Sequence, residues 1–144
     1  MMKVMFVCTA NSSRSVMAQA IFKMMAGENA EVSSSGIMVV NGKKPSDKAT
    51  AVCRAHGLDV ADHRTTHFKD SNISQMDLVL TLEMTHKAKL EIYYPNLEIR
   101  TIREFIGEYP YDINDPAGGD IEAYEACFCE IYRALKKVNG ILFG

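Results

Sequence analysis

The chain has 144 residues, 16 Lys plus Arg against 18 Asp plus Glu, 47% hydrophobic and 24% charged residues, and a net charge of −2. These values predict one globular domain over residues 1–144 and disfavour disorder and coiled coil. No basic surplus points to nucleic acid. No run approaches the ~20 apolar residues of a membrane span, and none reads as a signal peptide, so the expectation is a cytoplasmic protein without nucleic-acid or membrane partners.

Lys3–Cys8 is a short apolar run rich in β-formers, the pattern of a buried strand. Thr9–Ser13 is small and polar, hence a loop. From Arg14 or Ser15, Met17, Ala20, Ile21, Met24 and Met25 recur at helical spacing and stop near Gly27. Val32–Val40 reads as a second strand, interrupted by Ser34, Ser35 and Gly36. Ser46 is placed to cap a helix over Asp47–His56. Asp77–Leu82 is the clearest strand, and Thr85 is expected to cap a helix running to about Tyr93, stopped by Pro95. Ile99–Ile102 suits a short fourth strand. Asp120 would cap a long last helix with Ile121, Tyr124, Phe128, Ile131, Leu135 and Val138 on one face. Strands alternating with helices predict a three-layer α/β sandwich around a four-stranded parallel sheet.

Ligands of such sheets sit beyond the carboxyl ends of the strands, which directs attention to Cys8–Ser15. Cysteine and arginine there have the spacing Cys-x5-Arg. Five small intervening residues, Thr9, Ala10, Asn11, Ser12 and Ser13, can wrap into a cup of inward N–H groups that holds an anion. The following helix N-terminus adds positive potential, and the Arg14 fork matches two phosphate oxygens. The same donors would favour a thiolate at the base, making Cys8 a nucleophile. Cys-x5-Arg alone is a weak pattern; its position between an apolar strand and a helix makes it specific. Expelling an alkoxide also needs a proton donor. Asp115 fits, because Pro116 keeps the chain extended and Gly118 and Gly119 keep the segment irregular; Asp112 and Asp120 are its rivals.

Phe6–Ala18 resembles the opening of the low-molecular-weight protein tyrosine phosphatases. Ser34-Ser-Gly36, His63-Arg64, Asp77–Met84 and Asp115-Pro116 follow in that family's order. The resemblance implies the phosphotyrosine protein phosphatase I-like fold and a two-step reaction through a phosphocysteine, on a phosphorylated protein or peptide, with phosphate or a similar oxyanion in the loop. It implies Cys8 as nucleophile, Arg14 as phosphate ligand and Asp115 as general acid. Asn11 and Ser15 would hold the loop, with Ser34 and His63 behind them. No cofactor is expected. His63 and His67 stand four apart, but without further ligands nearby no metal is expected.

The departures bear on substrate. Ala10 stands where glycine is usual, Ser13 where many members have a second cysteine, and Val16 where proline is usual. Ser13 is also a candidate donor to the Cys8 sulfur. Aromatic walls for phosphotyrosine are replaced by Ala117 and by Val39 or Val40, which removes stacking worth roughly 0.5–1.5 kcal/mol per ring; Tyr109, Tyr111 or Tyr124 are possible substitutes. Ser12 and Gly118-Gly119 resemble the protein arginine phosphatase branch, so phosphotyrosine is the first expectation and phosphoarginine the alternative. Arsenate reduction and a non-catalytic phosphate-binding role are further alternatives. Arsenate reduction lacks relay cysteines in Thr81–Leu90, with Cys127 and Cys129 far along the chain. A pure binder would have no use for Asp115.

Overall fold

Four parallel strands form the sheet in the order β2-β1-β3-β4. The computed structural model describes all residues, 1–144. The strands are β1 (Met2–Cys8), β2 (Ala30–Gly36), β3 (Leu78–Thr81) and β4 (Ile99–Thr101). The helices are α1 (Arg14–Ala26), α2 (Asp47–Ala55), α3 (Met84–Tyr93), α4 (Ile102–Phe105) and α5 (Ile121–Phe143). The three-layer four-stranded sandwich expected from the sequence is the fold observed.

Parallel strands buried on both faces need apolar residues pointing both ways, and β1 supplies them. Val4, Phe6 and Cys8 join Ile21 and Phe22 of α1 and Phe128, Ile131 and Leu135 of α5 in the larger core. Met5 and Val7 join Val79, Ile99, Phe68 and Leu90 in the smaller one. Ser46 caps α2 by accepting from the Ala49 N–H at 3.0 Å, and Asp120 caps α5 through the Ala123 N–H, also at 3.0 Å.

Two boundaries and one helix stand out against expectation. β2 ends at Gly36, not Val40, because the chain leaves the sheet to follow the loop after β1: Ile37 and Met38 N–H groups donate to Cys8 and Thr9 carbonyls at 3.0 and 2.9 Å. α3 begins at Met84 with Glu83 as its cap residue, not at a Thr85 cap. α4 is a short helix with no counterpart in the sequence reading; Thr101 caps it through the Glu104 N–H at 2.8 Å.

β1 leads to β2 on one side while β3 lies on the other, so the carboxyl end of β1 is the topological switch point where such sheets bind ligands. Cys8 is its last residue.

Candidate active site

Residues 9–13 connect β1 to α1. Their amides donate to no acceptor in the protein, which leaves a nest of N–H groups at the first turn of α1. Asn11 makes the bend possible, with φ +55°; asparagine tolerates that region better than most residues. Its side chain is fully buried. Asn11 Oδ1 accepts from the Thr66 N–H at 3.0 Å, which turns Nδ2 toward Ser15 Oγ at 2.8 Å and Ser34 Oγ at 3.0 Å. Ser34 in turn donates to Gln19 Oε1 at 2.5 Å. From the other side, His63 Nε2 donates to the Asn11 carbonyl at 2.9 Å. Burial of that imidazole lowers its pKa below the ordinary histidine value, outweighing the opposing hydrogen bond.

Ser15 Oγ stands 2.9 Å from Cys8 Sγ. Because Ser15 already accepts from Asn11, its own hydrogen is free to point at the sulfur. Ser13 makes no side-chain hydrogen bond, so the hydroxyl against the sulfur is that of Ser15, not the Ser13 candidate.

The close packing of this loop against the sheet has a clear requirement at Gly36. A Cβ there would stand 2.8 Å from the Thr9 carbonyl oxygen and 3.0 Å from the Asn11 nitrogen. Only glycine fits without displacing the backbone.

Arg14 is 2% exposed, and its guanidinium is held from behind. Nη1 donates to the Glu83 carboxylate, just past β3, and to the Ile113 carbonyl at 2.7 Å. Nη2 lies 3.4 Å from Thr9 Oγ1 and 3.5 Å from Asp115 Oδ2. With Nη1 saturated, Nε unpartnered and one Nη2 hydrogen left beyond the long bond to Thr9 Oγ1, the Nε–Nη2 edge can take a bidentate oxyanion. Thr9 Oγ1 also receives His86 Nε2–H at 2.9 Å; the tautomer follows from Nδ1, which accepts the Glu83 N–H at 3.2 Å. Burial first, and then the Arg14 charge, pull His86 down to about 4 against the surrounding carboxylates.

A cavity of about 140 Å³ opens over this loop, lined by Cys8, Ser12, Arg14, Ser46, Asp115 and Tyr124 among others. Asp115 enters from the 107–119 segment, with Oδ1 accepting the Ala117 N–H at 2.9 Å and the side chain 45% exposed. Two larger hollows, of about 340 and 400 Å³, contain no cysteine.

The structure therefore brings together Cys8, Thr9, Ala10, Asn11, Ser12, Ser13, Arg14, Ser15, Ser34, His63 and Asp115. It does not put Val39 or Val40 on the cavity wall; Tyr124 and Ala117 line it. Tyr109 and Tyr111 pack on each other at 5.3 Å, Tyr109 being 81% exposed. Glu83, His86 and Gln19 were not singled out from sequence. The first two lie in Asp77–Met84 or just beyond it, so the segment was visible and their roles were not. Cys127 is buried, its thiol pushed up to about 12 chiefly by burial, and burial pushes Cys53 up to about 11.

A sequence model described as low molecular weight phosphotyrosine protein phosphatase matches residues 3–141. A protein-arginine-phosphatase of Geobacillus stearothermophilus is 32% identical over 94% of this chain and 93% of its own. A low molecular weight protein-tyrosine-phosphatase, PtpB, of Staphylococcus haemolyticus is 31% identical over 96% and 98%. Among solved structures, a low molecular weight protein tyrosine phosphatase from T. tengcongensis superposes with a TM-score of 0.92, at 33% identity, covering 99% of this chain and all of that one.

Proposed function

Because the chain belongs to the low molecular weight phosphotyrosine protein phosphatase family, we propose that Cys8, Arg14 and Asp115 carry a two-step phosphoryl transfer in the 140 Å³ cavity. The cup amides and the Nε–Nη2 edge of Arg14 bind the phosphoryl oxygens of a phosphorylated protein. Cys8 Sγ attacks phosphorus in line; the S–P bond forms as the P–O bond to the side chain breaks. Asp115 gives its proton to the departing oxygen. In the second step the Asp115 carboxylate takes a proton from water, which attacks phosphocysteine. The S–P bond breaks, inorganic phosphate leaves, and the thiolate returns.

The observation that carries this reading is the convergence on one cavity of a sulfur, a buried guanidinium held from behind and an exposed carboxyl 3.5 Å from that guanidinium. The Ser15 hydroxyl on the sulfur supports it. Cys8→Ser or Arg14→Ala abolishes turnover of an aryl phosphate, whereas Asp115→Asn slows poor leaving groups far more than good ones. Retained turnover in Cys8→Ser refutes the mechanism.

Phosphotyrosine is the first substrate, on the family's description and on Tyr124, the one ring lining the cavity. Phosphoarginine is a second reading. It is favoured by Ser12, Ala10 and Ala117 in the lining of the same cavity, where a hydroxyl and two methyl groups leave room for a guanidinium, and by the arginine-phosphatase relative. Phosphate release from matched phosphotyrosine and phosphoarginine peptides decides between them. A cytoplasmic location fits the absence of any helix long and apolar enough to cross a membrane.

A further inference from the structure

The segment 107–119 that carries Asp115 has no regular secondary structure, yet it must present a carboxyl to the cup within a fraction of an ångström. Arg103 holds the Pro110 carbonyl at 2.6 Å and Lys48 the Gly119 carbonyl at 2.6 Å, but the bonds to the strand and helix around the cup lie two and three residues before the acid. Asp112 Oδ1 accepts the Met84 N–H at 2.7 Å. The next residue, Ile113, donates its N–H to the Leu82 carbonyl at 2.8 Å and gives its own carbonyl to Arg14 Nη1 at 2.7 Å.

Met84 is the first residue of α3, where four N–H groups have no partner within the helix. The cap residue, Glu83, forms a reciprocal capping box with His86 at the third position of the helix and also holds Arg14, so neither meets the Met84 N–H at the first. Asp112 therefore supplies from another segment a carboxylate for the first turn of α3, a position where negative charge is favoured. It ties the acid-bearing segment to the element that also orients Arg14.

We propose that Asp112 is a positioning residue for general-acid catalysis: its bond to Met84 fixes the segment so that Asp115 meets the leaving oxygen. The inference rests on Asp115 being the acid. Misplacing a catalytic group by about an ångström can cost on the order of a hundredfold, and the loss falls where protonation matters most.

The test compares kcat/KM for phenyl phosphate and 4-nitrophenyl phosphate in four variants, with inhibition by inorganic phosphate as the measure of the cup. Asp112→Ala is expected to lose roughly 10–100-fold on phenyl phosphate and less than about threefold on the nitrophenyl ester, whose leaving group needs little acid help. Phosphate inhibition stays within about twofold. Asp112→Asn, whose amide oxygen accepts the same N–H, is expected to recover the rate. Met84→Pro removes the donor from the other side, at a helix position proline tolerates, and is expected to reproduce the Asp112→Ala pattern. It also keeps the proposal testable if Asp112→Ala does not fold.

Equal losses on both esters, weakened phosphate inhibition, or no loss in either variant overturns the proposal. Asp115→Asn is the control: if it too treats the esters alike, the acid assignment fails and this inference falls with it. If only Asp115→Asn discriminates, the acid assignment stands and Asp112 is not its positioner.

Discussion

The Asn11 amide is held at Thr66, Ser34 and Ser15 while its backbone sits at φ +55°. Asn11→Ala removes three hydrogen bonds of a buried side chain, each worth about 1 kcal/mol, and leaves a residue less suited to that conformation. It should lower kcat/KM at least about tenfold, a factor that corresponds to 1.4 kcal/mol, and should lower the melting temperature. His86 makes a separate prediction. Its imidazole is held near 4 against an ordinary 6.5, so in that window the unfolded chain takes up a proton that the fold refuses. Stability therefore falls as pH is lowered from about 6.5 to about 4, and this contribution changes no further below. The difference in melting temperature between pH 7 and pH 5 should shrink in His86→Gln; His63, shifted in the same direction, leaves a remainder. Of the proposed site, Cys8, Arg14 and Asp115 were legible in sequence because the proposed chemistry asks for a local Cys-x5-Arg spacing and an acid in an Asp-Pro segment. Glu83 was not: it meets Arg14 across 69 residues of chain, and an acid beside a helix start looks like an ordinary cap.

At the scale of elements, the loop between β1 and α1 takes its shape from β2 as much as from its own residues. Gly36→Ala places a methyl 2.8 Å from the Thr9 carbonyl, and backbone on both sides leaves little room to yield. A cost of about 1–3 kcal/mol in stability is expected. The activity loss should exceed what unfolding explains, measured as kcat/KM per folded molecule from a denaturant titration. The alternation of strands and helices was readable because each element carries its own apolar period. The far end of β2 was not: Val39 and Val40 have strand propensity, but Ile37 bonds to the last residue of β1 and Met38 to the loop carbonyl of Thr9, and Val40 ends 69% exposed. Tertiary hydrogen bonding overrode propensity there. The start of α3 moved back from Thr85 to a Glu83 cap because His86 closes the first turn onto the Glu83 N–H.

Across the whole molecule, α5 seals the larger core against α1 and α2, with Ile131 and Leu135 wholly buried. Ile131→Ala should cost about 2–5 kcal/mol through the cavity it leaves, read as a shifted denaturation midpoint, while kcat of the folded fraction is unchanged. The same sheet topology puts β1, β3 and the 107–119 segment at one switch point, which is how residues 8, 14, 83 and 115 meet. The most direct measurement is mass analysis of acid-quenched Asp115→Asn protein after exposure to 4-nitrophenyl phosphate. One phosphoryl group on the peptide containing Cys8, formed in step with a burst of nitrophenolate, is the predicted result. A burst-free reaction that releases phosphate with Cys8 unmodified would contradict covalent transfer through this cysteine.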